Sequence, residues 1–124
     1  MASNGNKTIL IVDDEEALSH MLNDILSEEG YHVLEANSAA RALGILKSTK
    51  VDLMISDIIM PGMSGFELVD KVHELYPQIK IQLVTGYSDQ VKDDVVLHKK
   101  ILYKPYQQFD ILECVRKLLQ SDEE

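Results

Sequence analysis

The sequence is poor in cysteine and has no long apolar run. Cys114 is the only cysteine among 124 residues, so no disulfide can form within the chain, which favours a reducing compartment. No apolar run approaches the roughly 20 residues that cross a bilayer, and residues 1–6 lack the basic and apolar regions of a secretion signal. From these absences we expect a cytoplasmic protein with no membrane partner.

Basic residues are also in deficit, with 12 Lys and Arg against 21 Asp and Glu and a formal net charge of −9. Nucleic-acid backbones are bound through Lys and Arg, so this balance argues against direct nucleic-acid binding. His20, His32, His73 and His98 fall on different predicted elements without ligand spacing, which argues against a zinc site. The positions of the acidic residues along the chain are therefore the most informative feature of its composition.

Five short apolar segments alternate with segments of helical periodicity. The predicted strands cover residues 7–12, 31–35, 51–56, 79–84 and 101–103. Ser38 is a predicted N-cap, Ser64 with Glu67 forms a predicted capping box, and residues 88–97 predict a short, polar helix. This alternation with short connections indicates βαβ units, and hence one α/β domain with a parallel sheet covered by helices on both faces.

Polar side chains stand where these strands end. Asp13 and Asp14 follow the first strand, and Asp57, Thr85 and Lys104 follow the third, fourth and fifth. Because the carboxyl ends of parallel strands share one edge of the sheet, we expect these side chains to converge. Three carboxylates repel one another unless a cation joins them, and oxygen ligands of this kind suit Mg²⁺. The Asp57 carboxylate can then act as a nucleophile toward phosphorus, with Lys104 and Thr85 contacting the phosphoryl group.

Four motifs, in this order along the chain, resemble the receiver domain of two-component response regulators. They are ILIVDDE at 9–15, DIIMPGMSG at 57–65, VTG at 84–86 and YKP at 103–105. The resemblance implies a single-domain, flavodoxin-like (βα)5 fold, which is a doubly wound parallel sheet with strand order 2-1-3-4-5. We place the receiver domain at residues 7–120, between an N-terminal extension at 1–6 and a frayed acidic tail at 121–124.

The same resemblance implies a function. Asp57 would accept a phosphoryl group from a phosphohistidine on a sensor histidine kinase or histidine phosphotransfer protein, in a Mg²⁺-dependent reaction. Asp14 and Asp57 would bind Mg²⁺ with the backbone carbonyl of Ile59, and Asp13 would bind it directly or through water. Such a receiver is not a multiple-turnover enzyme. Its phosphorylation would switch contacts with a downstream effector that the sequence does not identify.

Some positions depart from the family pattern. Ile101 stands where receivers commonly carry a Phe or Tyr that changes rotamer on activation, so we expect signalling to involve reordering of residues 87–97 instead. Ile59 and Tyr87 flank the path of the attacking water in this family, and neither side chain has a carboxylate or amide to orient water. We therefore expect slow autodephosphorylation.

Other classes of function remain as alternatives. An aspartate-nucleophile phosphatase of the haloacid dehalogenase kind would carry a second Asp two residues after the nucleophile, where this chain has Ile59. A flavin or nucleotide binder needs a phosphate-cradling loop after the first strand, where the acidic residues 13–15 would repel phosphate without a metal. An interaction adaptor that is no longer phosphorylated would normally lack Asp57, Lys104 or the acidic pair, all of which are present here. A stand-alone receiver and one excised from a longer regulator or hybrid kinase both fit.

Overall fold

The computed structural model describes residues 7–86, 101–104 and 107–120, in which five strands form one sheet. The strands are β1 (Thr8–Val12), β2 (His32–Ala36), β3 (Leu53–Asp57), β4 (Lys80–Thr85) and β5 (Ile101–Tyr103). All neighbouring strands are parallel, and their order is β2-β1-β3-β4-β5. The predicted strand order is confirmed, and the predicted strand ends lie within two residues of the observed ones.

Four helices lie in the described part of the chain: α1 (Glu16–Glu28), α2 (Ala39–Ser48), α3 (Gly65–Leu75) and α4 (Gln108–Gln120). The predicted caps are confirmed, since the Ser38 hydroxyl accepts a hydrogen bond from the Arg41 N–H and Ser64 and Glu67 form a capping box. Gly30 follows α1 with a φ of 98°, a conformation that favours glycine. The helix predicted at 88–97 lies outside the described residues.

The helices cover both faces of the sheet, as a doubly wound fold requires. Successive side chains of a strand point to opposite faces, so β1 and β3 contribute to two separate cores. Leu10 and Met54 pack with α2 and α3, whereas Ile9 and Ile55 pack with α1 and α4. All four side chains are at most 1% exposed. These two cores hold the central strands, and therefore the residues at their carboxyl ends, in fixed positions.

β2 is an edge strand, and its polar residue Glu35 has a structural role. The Glu35 carboxylate accepts hydrogen bonds from Ser19 Oγ and Asn23 Nδ2, and the His20 ring nitrogen Nδ1 also contacts it, each at 2.7 Å. Because these three partners lie on α1, the carboxylate links α1 to β2 at the edge of the sheet through side-chain hydrogen bonds.

Backbone hydrogen bonds continue past the ends of the strands. The Asp13 N–H donates to the Ala36 carbonyl at 3.0 Å, and the Lys104 N–H donates to the Thr85 carbonyl at 2.7 Å. Residues that immediately follow a strand are therefore held at the sheet edge rather than in free loops. No helix in the described ranges is both long enough and apolar enough to cross a membrane.

We expect the Glu35 cluster to stabilise the protein in a pH-dependent way. Burial alone would raise the pKa of Glu35, but the hydrogen bonds from Ser19, Asn23 and His20 lower it below its ordinary value of 4.5. A carboxyl with a lowered pKa in the folded state contributes stability that is present above its unfolded pKa and lost as pH falls through its folded pKa. The free energy of unfolding should therefore be higher for wild type than for Glu35→Gln at neutral pH. That excess should shrink as pH falls below about 4.5.

Urea unfolding of both proteins at a series of pH values measures this excess. Asn23→Ala removes one hydrogen-bond donor to Glu35 and keeps the carboxyl. It should therefore lose some, but not all, of the pH-dependent stability that Glu35→Gln loses. An excess that stays constant from neutral to strongly acidic pH would contradict the prediction.

Gly65 and Gly44 give a second pair of expected stability changes, with opposite signs. A Cβ at Gly65 would collide with the Asp57 carbonyl oxygen and lie 2.7 Å from the Ile58 Cα, both backbone atoms. Gly65→Ala should therefore destabilise the protein by about 1–3 kcal/mol, the usual range for overpacking.

Gly44 is exposed within α2 and a Cβ there meets nothing within 4 Å, so Gly44→Ala should stabilise the protein by about 0.5–1 kcal/mol. Thermal or urea unfolding tests both, and a neutral Gly65→Ala would contradict the packing argument.

Candidate functional site

Three carboxylates meet at the carboxyl edge of the sheet, between β1 and β3. Asp13 and Asp14 directly follow β1, and Asp57 ends β3, which pairs with β1 through Val12 and Ser56. One carboxylate oxygen from each Asp lies within 4.8 Å of the other two. Asp13 and Asp57 are buried, whereas Asp14 is exposed. This is the point of the sheet where strand order reverses, the usual ligand position in open α/β folds.

Lys104 supplies positive charge to this cluster. Its ammonium nitrogen Nζ lies 3.0 Å from Asp13 Oδ2, 3.0 Å from Asp57 Oδ2 and 3.1 Å from Glu15 Oε1. Burial on its own would lower the pKa of Lys104, but the carboxylates of Asp13 and Asp57 raise it well above its ordinary value. The ammonium is therefore charged at every physiological pH, and its side chain is only 11% exposed.

Each carboxylate oxygen of Asp57 accepts a hydrogen bond. Its Oδ2 accepts from Lys104, and its Oδ1 accepts from the backbone N–H of Ile59 at 3.2 Å. Burial raises the pKa of Asp57, the contacts with Lys104 oppose that rise, and the charge of Asp13 adds to it. Burial is the largest of these causes, so the pKa of Asp57 remains raised despite the contacts with Lys104.

Thr85 and Ile101 lie on the neighbouring strands. Thr85 is fully buried at the end of β4, one residue beyond Val84, which pairs with Asp57. Ile101 begins β5 and packs, half-buried, against the core that contains α2 and α3. Tyr87 and the segment for which we predict reordering lie outside the described residues. The structure thus places Asp13, Asp57 and Lys104 in direct contact, with Thr85 on the adjacent strand.

The donor set at this edge fits a hard divalent cation. Carboxylate oxygens are the ligands that Mg²⁺ prefers, and Mg²⁺ is commonly bound by one or two carboxylates with waters completing its shell. Asp14 is the exposed member, so a hydrated ion has access to the cluster from solvent. The residues present therefore fit Mg²⁺, with the backbone carbonyl of Ile59 as the further ligand that the family resemblance implies.

Glu15 contributes a fourth carboxylate near Lys104 that the sequence did not predict. Glu15 follows the acidic pair, and it stands in the motif at 9–15, yet its contact with Lys104 is visible only in the structure. The sequence carries one indication of this contact: Glu15 is a third consecutive acidic residue, and it stands at the N-cap position of α1, where Ser, Thr, Asp or Asn is usual. Chemically, the site presents a buried carboxylate beside an ammonium and a candidate cation-binding cluster.

Comparison with known proteins identifies the family. The family model for the response regulator receiver domain matches residues 9–116. The transcriptional regulatory protein YvrH of Bacillus subtilis is 36% identical over 115 residues, which are 90% of this chain and 48% of the relative. The response regulator receiver protein CpdR of Brucella abortus is 31% identical over 91% of this chain and 97% of its own length. The chain thus spans about half of YvrH but nearly all of CpdR.

A solved structure shows the same likeness in three dimensions. The response regulator protein TrrA of Thermotoga maritima, crystallised in complex with Mg²⁺ and BeF, is 36% identical and superposes with a TM-score of 0.81. The match covers 91% of this chain and 99% of TrrA. With the strand order, the acidic cluster and the matched motifs in agreement, this chain belongs to the response regulator receiver domain family of two-component signalling systems.

Proposed function

We propose that Asp57 is the phosphoryl acceptor of this receiver domain, and that its donor is a phosphohistidine on a sensor histidine kinase or histidine phosphotransfer protein. One observation carries the assignment: the buried Asp57 carboxylate lies 3.0 Å from the Lys104 ammonium and within the cluster of three aspartates. The receiver domain extends over residues 7–120 in this proposal, with 1–6 and 121–124 as flanking segments.

The groups of this chain can perform the transfer. The Asp57 carboxylate attacks phosphorus, an O–P bond forms as the N–P bond of the phosphohistidine breaks, and the histidine nitrogen keeps the electron pair of that bond. Lys104 would neutralise charge on the phosphoryl oxygens, and the Thr85 hydroxyl would donate a hydrogen bond to one of them. The negative charge already present makes a second cation necessary before a phosphoryl group can approach.

Mg²⁺ is the cation we propose, bound by Asp14 and Asp57 with the carbonyl of Ile59, and by Asp13 directly or through water. When bound, it would neutralise and orient the phosphoryl oxygens during transfer. The oxygen donors support this choice, as does the Mg²⁺ and BeF complex of TrrA. The ammonium of Lys104 and the ion would then share the charge of the phosphoryl group between them.

The domain acts as a switch rather than a multiple-turnover enzyme. The product of the transfer stays covalently attached to Asp57 until water removes it, and in the meantime the changed charge alters contacts with a downstream effector. A phosphatase of the haloacid dehalogenase kind would need an acid or base where Ile59 stands. We propose a cytoplasmic location, with neither nucleic acid nor membrane as a direct partner.

Phosphorylation should depend on Asp57 and on Mg²⁺. Incubation with acetyl phosphate and Mg²⁺ should produce a mass gain of one phosphoryl group that hydroxylamine removes, because acyl phosphates are cleaved by that nucleophile. The gain should disappear in Asp57→Ala and on removal of Mg²⁺ by chelation. It should persist in Asp70→Ala, which changes an exposed aspartate on α3. Absence of any gain with competent donors would favour the adaptor, and multiple turnover of phosphate esters would favour the phosphatase.

Loss of the phosphoryl group should be slow. Ile59 is adjacent to the acceptor, donating its N–H to Asp57 Oδ1, but its side chain cannot orient a water molecule. Ile59→Asn places an amide there and should shorten the half-life of the phosphorylated protein severalfold. Leu75→Asn makes the same chemical change at an exposed position at the end of α3 and should have no effect. Decay followed by intact mass measures this, and a wild-type half-life of only seconds would contradict the prediction.

A further inference from the structure

Glu15 occupies the N-cap of α1 but does not cap the helix. Its backbone is extended, as an N-cap requires, yet its side chain makes no hydrogen bond to the first turn of α1. Ser, Thr, Asp and Asn are the residues that normally perform this role. The Glu15 carboxylate instead reaches Lys104, 89 residues away in the sequence, at 3.1 Å.

Glu15, Asp13 and Lys104 form a closed ring of hydrogen bonds. The Glu15 backbone N–H donates to Asp13 Oδ1 at 2.9 Å, and the Lys104 ammonium donates to Asp13 Oδ2 at 3.0 Å. The contact from Lys104 to Glu15 Oε1 closes the ring. The backbone member of this ring is independent of the side chain at position 15, so Glu15→Gln removes only the negative charge from the contact to Lys104.

The three donors of the Lys104 ammonium are matched by three carboxylates. An ammonium has three N–H groups, and the structure places Asp13, Asp57 and Glu15 at hydrogen-bonding distance from it. A phosphoryl oxygen that is to contact Lys104 must take one of these donors. The side chains of Asp13 and Asp57 are 5% and 2% exposed, whereas that of Glu15 is 52% exposed. Of the two carboxylates that keep their charge when Asp57 is phosphorylated, Asp13 and Glu15, only Glu15 can be solvated by water after release, so it is the more easily displaced.

We propose that Glu15 is a positioning residue for Lys104 that competes with the phosphoryl group. Before phosphorylation its carboxylate holds the ammonium at the mouth of the site. On phosphorylation a phosphoryl oxygen replaces the Glu15 carboxylate as a hydrogen-bond acceptor of Lys104, and the carboxylate becomes solvated by water. The inference rests on the proposed phosphoryl acceptance at Asp57, and it implies that Glu15 lowers the affinity of the site for the phosphoryl group.

The test measures binding of beryllium fluoride, a phosphoryl analogue, at saturating Mg²⁺ by calorimetry or fluorine NMR. Glu15→Gln should bind about three- to fivefold more tightly than wild type, since a half-exposed ion pair contributes at most about 1 kcal/mol. Glu16→Gln is the matched control, because it removes the same charge one residue away, at a side chain that contacts Asn37. It should change affinity by less than about twofold if the direct contact dominates over the general field.

A second measurement follows Lys104 itself. In nitrogen-15 NMR of the unphosphorylated protein, Glu15→Gln should speed hydrogen exchange of the Lys104 ammonium, and Glu16→Gln should not. A purely structural role for Glu15 would change stability without moving this signal. Folding of each variant is checked by urea unfolding, and Glu15→Gln removes no helix-capping bond.

The outcomes separate this inference from the proposed function. Tighter binding and faster ammonium exchange only in Glu15→Gln support it. Unchanged or weaker binding by Glu15→Gln, or equal tightening by Glu16→Gln, would overturn it while wild-type binding still supports phosphoryl acceptance. Failure of wild type to bind the analogue at all would instead count against the proposed function.

Discussion

The confinement of negative charge at one edge of the sheet is the constraint on which the rest of this structure depends. Asp13 and Asp57 are buried, and Asp14 brings a third carboxylate oxygen within 4.8 Å of theirs. Buried like charges at this separation repel strongly, because the surrounding protein screens them much less than water does. The Lys104 ammonium partly compensates them, and burial keeps the pKa of Asp57 raised although the contacts with Lys104 oppose that rise. A divalent cation would relieve the repulsion among these carboxylates, so the site favours binding of such an ion.

The compensating charge comes from Lys104, the residue that directly follows β5, the last strand in chain order. Lys104 reaches Asp57 across 47 residues of sequence and Asp13 across 91. Its backbone N–H is tied to the Thr85 carbonyl, so the ammonium is in place only when β5 lies beside β4. The charge balance at the site and the docking of the edge strand are therefore coupled. This coupling gives the domain a physical route by which a change of charge at Asp57 can reach β5 and its surroundings.

A switch of this kind needs contacts that exist in one state and are released in the other. The contact between Lys104 and the half-exposed Glu15 has that property, because water can replace it. The contact to Asp13 does not have this property, since that carboxylate is buried and keeps its charge when Asp57 is phosphorylated. Ile101 packs against the core beside α2 and α3. With an aliphatic side chain at that position, transmission is expected to depend on polar contacts and on backbone rearrangement rather than on the rotation of an aromatic ring.

The sequence by itself determined the elements of this fold and the kinds of residue at the site. Strand and helix periodicity, the cap at Ser38 and the capping box at Ser64 are local preferences, so they can be read without knowing what lies across the sheet. The strand ends then put Asp57 and Lys104 at a common edge, because parallel strands share one polarity. The strand order came from the family resemblance, since local patterns do not order strands within a sheet.

Only the tertiary structure decided which atoms meet. Asp13 and Asp14 are adjacent in sequence and identical in chemistry, yet one is buried and the other exposed. The contact of Glu15 with Lys104 joins residues 89 apart in sequence, and the close approach of Gly65 to the Asp57 carbonyl likewise depends on packing. Burial and contact depend on strand register and on helices packed from distant parts of the chain. For that reason the sequence could name the chemistry of the site, while the arrangement of its charges emerged only from the folded chain.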